Sequence, residues 1–228
     1  MSEYAPAGFD PLWEDLFAGR AWGRYPSEPV IRAIMAAYGS SSDRSTIRVL
    51  DLGCGPGANT WFLAREGFTV AGIDGSETAI AQNSARLRLE GLDADLRVGD
   101  FTKQIPWEDG SFDAVVDNGS LCANTGSSMT NGVLLAARVL KPGGRLISIG
   151  FTDRCWGYGT GRPREDPGAF IDIEVGPLAH KGTMQFLGRI DVERVFAPFA
   201  PLSVERSSYT VEQGERLIEM WVVQGRRG

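Results

Sequence analysis

Histidine and cysteine are scarce in this sequence, and their scarcity limits the chemistry that it can support. The 228 residues include one histidine and three cysteines, which lie far apart at positions 54, 122 and 155. Structural zinc sites and disulfide frameworks need clusters of these residue types at short spacings. The sequence therefore predicts neither a metal site nor a disulfide scaffold.

An excess of basic residues and a long apolar run are also missing. Lysine and arginine total 23 against 29 acidic residues, which gives a formal net charge of −6. This balance offers no electrostatic footprint for nucleic acid or for an anionic membrane. No apolar stretch approaches the roughly 18 residues of a membrane span, and residues 1–4 lack the basic start of a signal peptide. We expect a cytoplasmic protein that binds neither nucleic acid nor membrane, with its oligomeric state left open.

Apolar residues are abundant, at 43% of the chain, which is enough for a sizeable core in one structural domain. Residues 9–17 and 27–39 carry apolar side chains at helical spacing. These two segments predict an N-terminal helical cap over residues 1–43. The main domain is then expected over residues 44–228.

Short apolar runs alternate with helical patterns through the first part of the main domain. Such alternation is typical of a parallel, doubly wound α/β sheet. The predicted strands are 47–52, 69–73, 95–98, 112–116 and 145–149, the predicted helices are 60–66, 78–90 and 128–140, and a turn is predicted at 141–144. Beyond these lie an irregular insertion at 151–188, a short helix at 191–196 and a closing hairpin of 202–209 with 216–223.

The first predicted strand runs into a loop with three glycines, and a helix follows. These glycines are Gly53, Gly55 and Gly57. Glycine lets a backbone turn sharply and lie close against a ligand. The next strands end at Asp74, Asp100 and Asp117. Because parallel strands finish at one edge of the sheet, where ligands bind, we expect a nucleotide site at this edge.

Two residues of the loop indicate which nucleotide it binds. A dinucleotide-binding loop reads G-x-G-x-x-G and presents free N–H groups to a pyrophosphate. Here Pro56 removes one donor, and Asp51 adds a negative charge next to the loop. A carboxylate suits an ammonium-bearing ligand better than a phosphate. The loop therefore favours S-adenosylmethionine over NAD.

Several short motifs along the chain resemble those of class I S-adenosylmethionine-dependent methyltransferases, in the family's order and spacing across residues 45–150. The motifs are Asp51–Gly57, Gly72–Asp74, Gly99–Phe101, Phe112–Val116 and Leu140–Gly144. The resemblance implies a Rossmann-like, seven-stranded sheet whose last strand is antiparallel. It also implies that the protein is an enzyme with S-adenosylmethionine as its cofactor.

The resemblance assigns cofactor contacts by motif position. Asp51 and the three glycines would hold the methionine part, and Asn118 would lie near its amino group. Asp74 would hold the ribose, which Gly75 and Ser76 would line, while Asp100 and Phe101 would contact adenine. Trp22 and Tyr25 are candidates for closing over the cofactor, and packing in the core is the alternative for both.

The methyl acceptor is less readable from the sequence. His180, the sole histidine, is a candidate general base for O-methylation, although a surface histidine is the alternative, and Asp117 is a second candidate. Trp156 and Tyr158 lie in a glycine-rich segment and are candidates for an acceptor pocket or lid. We expect transfer of a methyl group to an oxygen or nitrogen atom of a small, biosynthetic molecule.

Other functions remain open at this stage. An NAD-type oxidoreductase or a non-catalytic S-adenosylmethionine-binding protein would be compatible with the same fold class. A protein or RNA methyltransferase is less favoured. Nucleic-acid amino methyltransferases carry an Asn/Asp-Pro-Pro-aromatic motif after the fourth strand, whereas this chain has Asp-Asn-Gly-Ser at 117–120.

Overall fold

The computed structural model describes residues 8–228, so the first seven residues of the predicted cap lie outside the described residues. The helices are α1 Leu12–Gly19, α2 Glu28–Tyr38, α3 Ala58–Arg65, α4 Glu77–Leu89, α5 Gly126–Val139 and α6 Arg189–Val195. The strands are β1 Arg48–Leu52, β2 Thr69–Asp74, β3 Asp95–Val98, β4 Phe112–Asn118, β5 Leu140–Phe151, β6 Arg162–Pro163, β7 Ala169–Ile171, β8 Met184–Gln185, β9 Phe199–Val211 and β10 Arg216–Arg227.

Seven strands form the main sheet in the order β3-β2-β1-β4-β5-β10-β9. Strands β1 to β5 are mutually parallel, and β10 runs antiparallel between β5 and β9. The predicted α/β fold with an antiparallel last strand is therefore confirmed. A second sheet of β6, β7 and β8 forms within the insertion.

Both faces of the main sheet are buried, which explains the continuous apolar runs of its central strands. On one face Val49 packs with Val30 and Ile34 of α2. On the other face Leu50 packs in a cluster that includes Met129 and Val133 of α5. No helix within residues 8–228 combines the length and the apolar composition that crossing a bilayer requires.

Strand β5 is longer than its apolar pattern predicts. The predicted turn at 141–144 is the irregular start of this strand, because Leu140 pairs with Phe112 and the register then shifts before Arg145 pairs with Ala114. Gly143 has a left-handed φ of 75° within this segment. The pairing with β4 is a long-range contact, so local turn chemistry did not reveal it.

Helix α1 begins later than its apolar spacing predicts, at Leu12 rather than at residue 9. The backbone N–H of Phe9 donates instead to Asp100 Oδ2, at 3.0 Å. The Asp10 carboxylate then accepts from the backbone N–H of Leu12, at 3.0 Å. The start of the helix is thus set by a contact with the end of β3.

Candidate active site

A cavity of about 230 Å³ lies beyond the carboxyl ends of β1, β2, β4 and β5, underneath α1. The order of the parallel strands reverses between β1 and β4. Ligands usually bind at such a reversal, beyond the carboxyl ends of the strands. The walls come from the following segments of the chain: 9–22, 53–59, 74–75, 99–101, 118–124, 149–151, 178–184 and Met220. The site therefore joins the main sheet, the N-terminal helix and the insertion.

The glycine loop forms the floor of the cavity, and close packing explains two of its glycines. Gly53 has φ of 67°, and a Cβ at this position would lie 2.2 Å from the Cβ of Ser120. Gly57 has φ of 94°, and a Cβ there would lie 2.3 Å from Asn83 Oδ1. Any larger residue would collide at both positions, so the loop stays thin beneath the cavity.

Asp74 ends β2 and lines the cavity with its carboxylate almost completely buried. Its Oδ2 accepts from the backbone N–H of Gly55, and its Oδ1 accepts from that of Ser76, both at 2.9 Å. Burial raises the pKa of this carboxyl, and the two backbone donors oppose the rise. A carboxylate has about four lone-pair sites, so acceptor capacity remains for the hydroxyl groups of a ligand.

Asp100 and Phe101 form the wall next to Asp74. Asp100 Oδ1 accepts from the N–H of Thr102 at 2.9 Å, and Oδ2 accepts from Phe9. Burial would raise the pKa of Asp100, but these hydrogen bonds outweigh it and hold the pKa below its usual value. The Phe9 backbone thus already occupies one oxygen that the resemblance reserves for adenine.

Helix α1 is fastened over the cavity by a carboxylate and by aromatic packing. Glu14 accepts from the hydroxyls of Ser76 and Thr78, at the first turn of α4. The hydrogen bond from Ser76 is the main reason why the pKa of Glu14 is lowered. The Phe17 and Trp22 rings pack edge to face with centroids 5.2 Å apart, and both rings line the cavity.

Asp51 and Asp117 lie behind the cavity wall and are fully buried. Asp51 accepts from Thr60 Oγ1 at 2.7 Å and from Asn59 Nδ2 at 3.1 Å. Asp117 accepts from Ser148 Oγ at 2.6 Å and from the backbone N–H groups of residues 120 and 121. Burial raises the pKa of each carboxyl to about 6.

Eight of the predicted site residues line the cavity together. They are Gly53, Gly55, Asp74, Gly75, Asp100, Phe101, Asn118 and Trp22. Gly57, Ser76 and Asp51 support this wall from behind. Asp51 faces Asn59, which lines the cavity in its place.

The candidates for catalysis lie elsewhere. The Asp117 carboxylate already accepts hydrogen bonds from Ser148 and from the backbone of the loop after β4. His180 is exposed and has a left-handed φ of 59°, and it does not line the cavity, whereas its neighbour Lys181 does. Neither side chain is placed to take a proton from an acceptor in the cavity.

The other predicted aromatic residues are also outside the cavity. Tyr25 is 71% exposed and packs on Trp61. Tyr158 packs edge to face against Phe170 and Phe186, at 5.3 and 5.5 Å between centroids. Trp156 packs against the hydrophobic cluster of the insertion. Tyr158 and Trp156 thus pack within the insertion, and none of the three side chains lines the cavity.

The sequence prediction missed much of the cavity roof and of its far wall. The missed residues include Phe9, Trp13, Phe17, Phe151, Leu178, Lys181, Met184 and Met220. The amphipathic pattern of residues 9–17 could have indicated the roof, because such a face must be covered. The far wall has no comparable local signal, since its residues come from the insertion and from β10.

The comparisons with known proteins agree with this geometry. A family model described as a methyltransferase domain matches residues 49–144. A demethylmenaquinone methyltransferase from Tropheryma whipplei (strain Twist) is 41% identical over 106 residues, which are 46% of this chain and 41% of that protein. These matches support the assignment of residues 49–144 to a class I S-adenosylmethionine-dependent methyltransferase family. The match spans less than half the length of the first curated relatives, between 41% and 48%.

Solved structures share the fold over most of this chain. One, described as showing the conversion of a disulfide bond into a thioacetal group during echinomycin biosynthesis, covers 95% of this chain and 91% of its own at a TM-score of 0.68 and 23% identity. Another is 1,6-didemethyltoxoflavin-N1-methyltransferase of Burkholderia thailandensis, with 1,6-didemethyltoxoflavin and S-adenosylhomocysteine bound. It covers 88% of this chain and 77% of its own at a TM-score of 0.64 and 18% identity.

The residues of the cavity fit the cofactor of this methyltransferase family, S-adenosylmethionine. Asp74 and Asp100 line the cavity beside the glycine loop, and Lys181 is the one basic side chain among the described lining residues. Asn59 also lines it, and its buried Oδ1 has no hydrogen-bond partner among residues 8–228. This set accepts hydrogen bonds from hydroxyl, amino and ammonium groups, whereas a pyrophosphate would meet two carboxylates, of which Asp100 has Lys103 3.4 Å away.

Metal-binding geometry is not found in the described part of the chain. No group of three or more His, Cys, Asp or Glu side chains within residues 8–228 is arranged to hold an ion. All three cysteines are buried, and the pKa values of their thiols are raised by burial.

Proposed function

We propose that the protein transfers the methyl group of S-adenosylmethionine to an oxygen or nitrogen atom of a small, largely apolar molecule. The observation that carries this proposal is the continuity of the cavity. One end has the glycine loop and its acceptor groups, and the other end is lined by apolar side chains under a helical roof. A cavity of about 230 Å³ that is partly covered by α1 suits a small acceptor better than a macromolecule.

The described residues have defined roles in this function. Asp74 would hold the ribose hydroxyls, and the partnerless Asn59 Oδ1 would accept from the ammonium group of the methionine part. The cofactor supplies a methyl group on a sulfonium, and its transfer leaves S-adenosylhomocysteine. The chain therefore contributes mainly alignment and exclusion of water, and alignment can supply roughly 7–11 kcal/mol.

The acceptor class is supported by relatives as well as by the cavity walls. The Tropheryma whipplei relative is named for demethylmenaquinone, and the Burkholderia thailandensis enzyme is named for methylation of a nitrogen of 1,6-didemethyltoxoflavin. Both names describe small-molecule acceptors. At the far end of this cavity Ile149, Leu178 and Met184 are each less than 4% exposed and present apolar atoms.

Turnover with isotopically labelled cofactor tests the proposal. The full chain is incubated with S-adenosylmethionine labelled in the methyl group and with a panel of apolar phenols, carboxylic acids and amines. We expect S-adenosylhomocysteine and a labelled small molecule in equal amounts, measured by mass spectrometry. Label appearing instead in added RNA or protein would reject the small-molecule acceptor.

The matched variant for this test is Asp74→Ala. Loss of the hydrogen bonds to the ribose should weaken S-adenosylhomocysteine binding by about 1–3 kcal/mol in calorimetry, while folding is checked by circular dichroism. Unchanged affinity would remove Asp74 from the cofactor site. Binding of NADH in preference to S-adenosylhomocysteine would support an oxidoreductase and reject the proposal.

A further inference from the structure

Lys181 is the one basic side chain among the described residues that line the cavity. It belongs to the insertion and lines the cavity together with the apolar residues Leu178 and Met184. The other lining residues include the neutral side chains of Asn124, Ile149 and Phe151, and one acid, Asp10, lies next to Gly182. A pocket with one charged group among apolar walls uses that group to orient and select its ligand.

Lys181 forms no ion pair with any carboxylate of residues 8–228. Its Nζ donates to the carbonyl oxygen of Pro177 at 2.6 Å and lies 5.2 Å from the ring centre of Trp22. Lys103 and Lys141 each have a carboxylate within 4 Å, at 3.4 and 2.7 Å. No carboxylate within residues 8–228 lies within 4.0 Å of Lys181 Nζ. This holds also for Asp10, an acidic residue that lines the same cavity.

The Lys181 ammonium has N–H donors without a protein acceptor among the described residues, and an anion beside it would stabilise its charge. Lysine has three N–H donors, and Pro177 accepts only one of them. Burial lowers the pKa of Lys181, and Arg20 lowers it further, so the environment penalises the unpaired charge. A cation withdrawn from water regains stability when an opposite charge enters beside it.

We propose that Lys181 is a specificity-determining residue that pairs with an acidic oxygen group, a carboxylate or an ionisable phenol or enol, on an otherwise apolar acceptor. This inference rests on the proposed function and narrows its substrate class. The apolar walls would contact the body of the acceptor, and the ammonium would fix which end enters first. A single cation suits one such oxygen group, whereas a phosphate ester would leave charge unpaired.

Binding of matched probes tests the inference. The probes are 2-naphthoate against neutral 2-naphthamide, and 2-naphthol against 2-methoxynaphthalene, each titrated calorimetrically into the full chain saturated with S-adenosylhomocysteine. We expect the wild-type protein to favour the acidic member of at least one pair by about 10-fold or more, the strength of a charge-assisted hydrogen bond. The pair that shows the preference distinguishes a carboxylate from a phenol.

Three variants make the result specific to Lys181. Lys181→Met keeps the length of the side chain and should abolish the preference, and Lys181→Arg should retain most of it. Lys141→Met is the matched control, because Lys141 pairs with Asp113 outside the cavity and its loss should leave the preference unchanged. Circular dichroism of each variant verifies that it is folded.

Two outcomes would overturn the inference. One is a wild-type protein with no preference in either pair. The other is a preference that survives in Lys181→Met, and if that variant also loses affinity for S-adenosylhomocysteine, the ammonium would be assigned to the cofactor's own carboxylate. Failure of wild-type S-adenosylhomocysteine binding, recorded in a separate titration, would count against the proposed function instead.

Discussion

At the scale of single residues, the carboxylates behind the cavity wall hold the loops that form it. Asp117 binds the start of the segment after β4 through two backbone N–H groups and reaches β5 through Ser148. Asp51 reaches the cavity only through Asn59. Both carboxyls are fully buried, so each is costly to ionise, and their raised pKa values report this cost.

Asp117→Asn should change how stability depends on pH. The folded-state pKa of Asp117 is raised to about 6 by burial, above its unfolded value, so this group stabilises the fold at low pH. That contribution is lost as the pH rises through about 6. An asparagine does not ionise, so the unfolding free energy of the variant relative to wild type should rise by about 1–3 kcal/mol between pH 4 and 7.

Urea unfolding at both pH values measures this difference. Asp93→Asn serves as the control, because Asp93 is exposed and should show no such trend. A difference between Asp117→Asn and wild type that stays constant with pH would mean that Asp117 is not ionised at a cost in the folded protein.

At the scale of secondary structure, α1 is the element that partly covers the cavity at the sheet edge. Its aromatic face covers the cavity through Trp13 and Phe17, and Glu14 binds the first turn of α4. A carboxylate at a helix N-terminus is favoured by the helix dipole and by unpaired N–H groups. This single acidic contact ties the roof to the residues directly after Asp74.

Glu14→Gln should weaken this attachment and flatten its response to acid. The pKa of Glu14 is lowered in the folded protein, chiefly by the hydrogen bond from Ser76, so its stabilising effect is present above the unfolded pKa. The effect is lost as the pH falls below that value, through the lowered folded pKa. Acid unfolding curves between about pH 3 and 6 should therefore show less loss of stability in the variant.

The neighbouring change Asp15→Asn is the control for this experiment, since Asp15 is exposed on the same helix. Faster dissociation of S-adenosylhomocysteine from Glu14→Gln, measured by stopped-flow fluorescence, is expected as well. Identical acid unfolding of wild type and Glu14→Gln would show that the hydrogen bonds from Glu14 to α4 do not contribute to the stability of the folded protein.

At the scale of the whole molecule, the cavity is a meeting point of segments that are distant in sequence. Its walls run from residue 9 to Met220, and the Phe9 to Asp100 contact alone spans 91 positions. A ligand in this cavity touches the cap, the sheet and the insertion together. It should therefore stabilise the folded chain as one unit by binding the folded state only.

S-adenosylhomocysteine should raise the thermal unfolding temperature in a concentration-dependent way. At 100 times its dissociation constant, a ligand specific for the folded state contributes about 2.7 kcal/mol. NADH at the same concentration should leave the unfolding temperature unchanged, because a pyrophosphate would meet the acidic end of the cavity. Differential scanning calorimetry measures both, and equal stabilisation by NADH would contradict the assignment of the cofactor.

Sequence by itself determined the sheet and the cofactor end of the cavity. A glycine or an aspartate that follows a predicted strand is a local signal in the sequence. Parallel strands bring these positions to the same edge of the sheet, independently of other tertiary contacts. This is why Gly53, Asp74 and Asp100 could be predicted to lie together. Neighbours in sequence and the period of the apolar pattern were sufficient evidence for them.

Only the tertiary structure decided the acceptor end. Lys181 lines the cavity and the adjacent His180, with its left-handed backbone, does not, and no local pattern reveals this difference. The roof depends on Phe9 and Glu14 reaching residues that lie at least 62 positions away. Side chains of irregular segments take their direction from long-range packing, so the choice of acceptor became readable only from the folded chain.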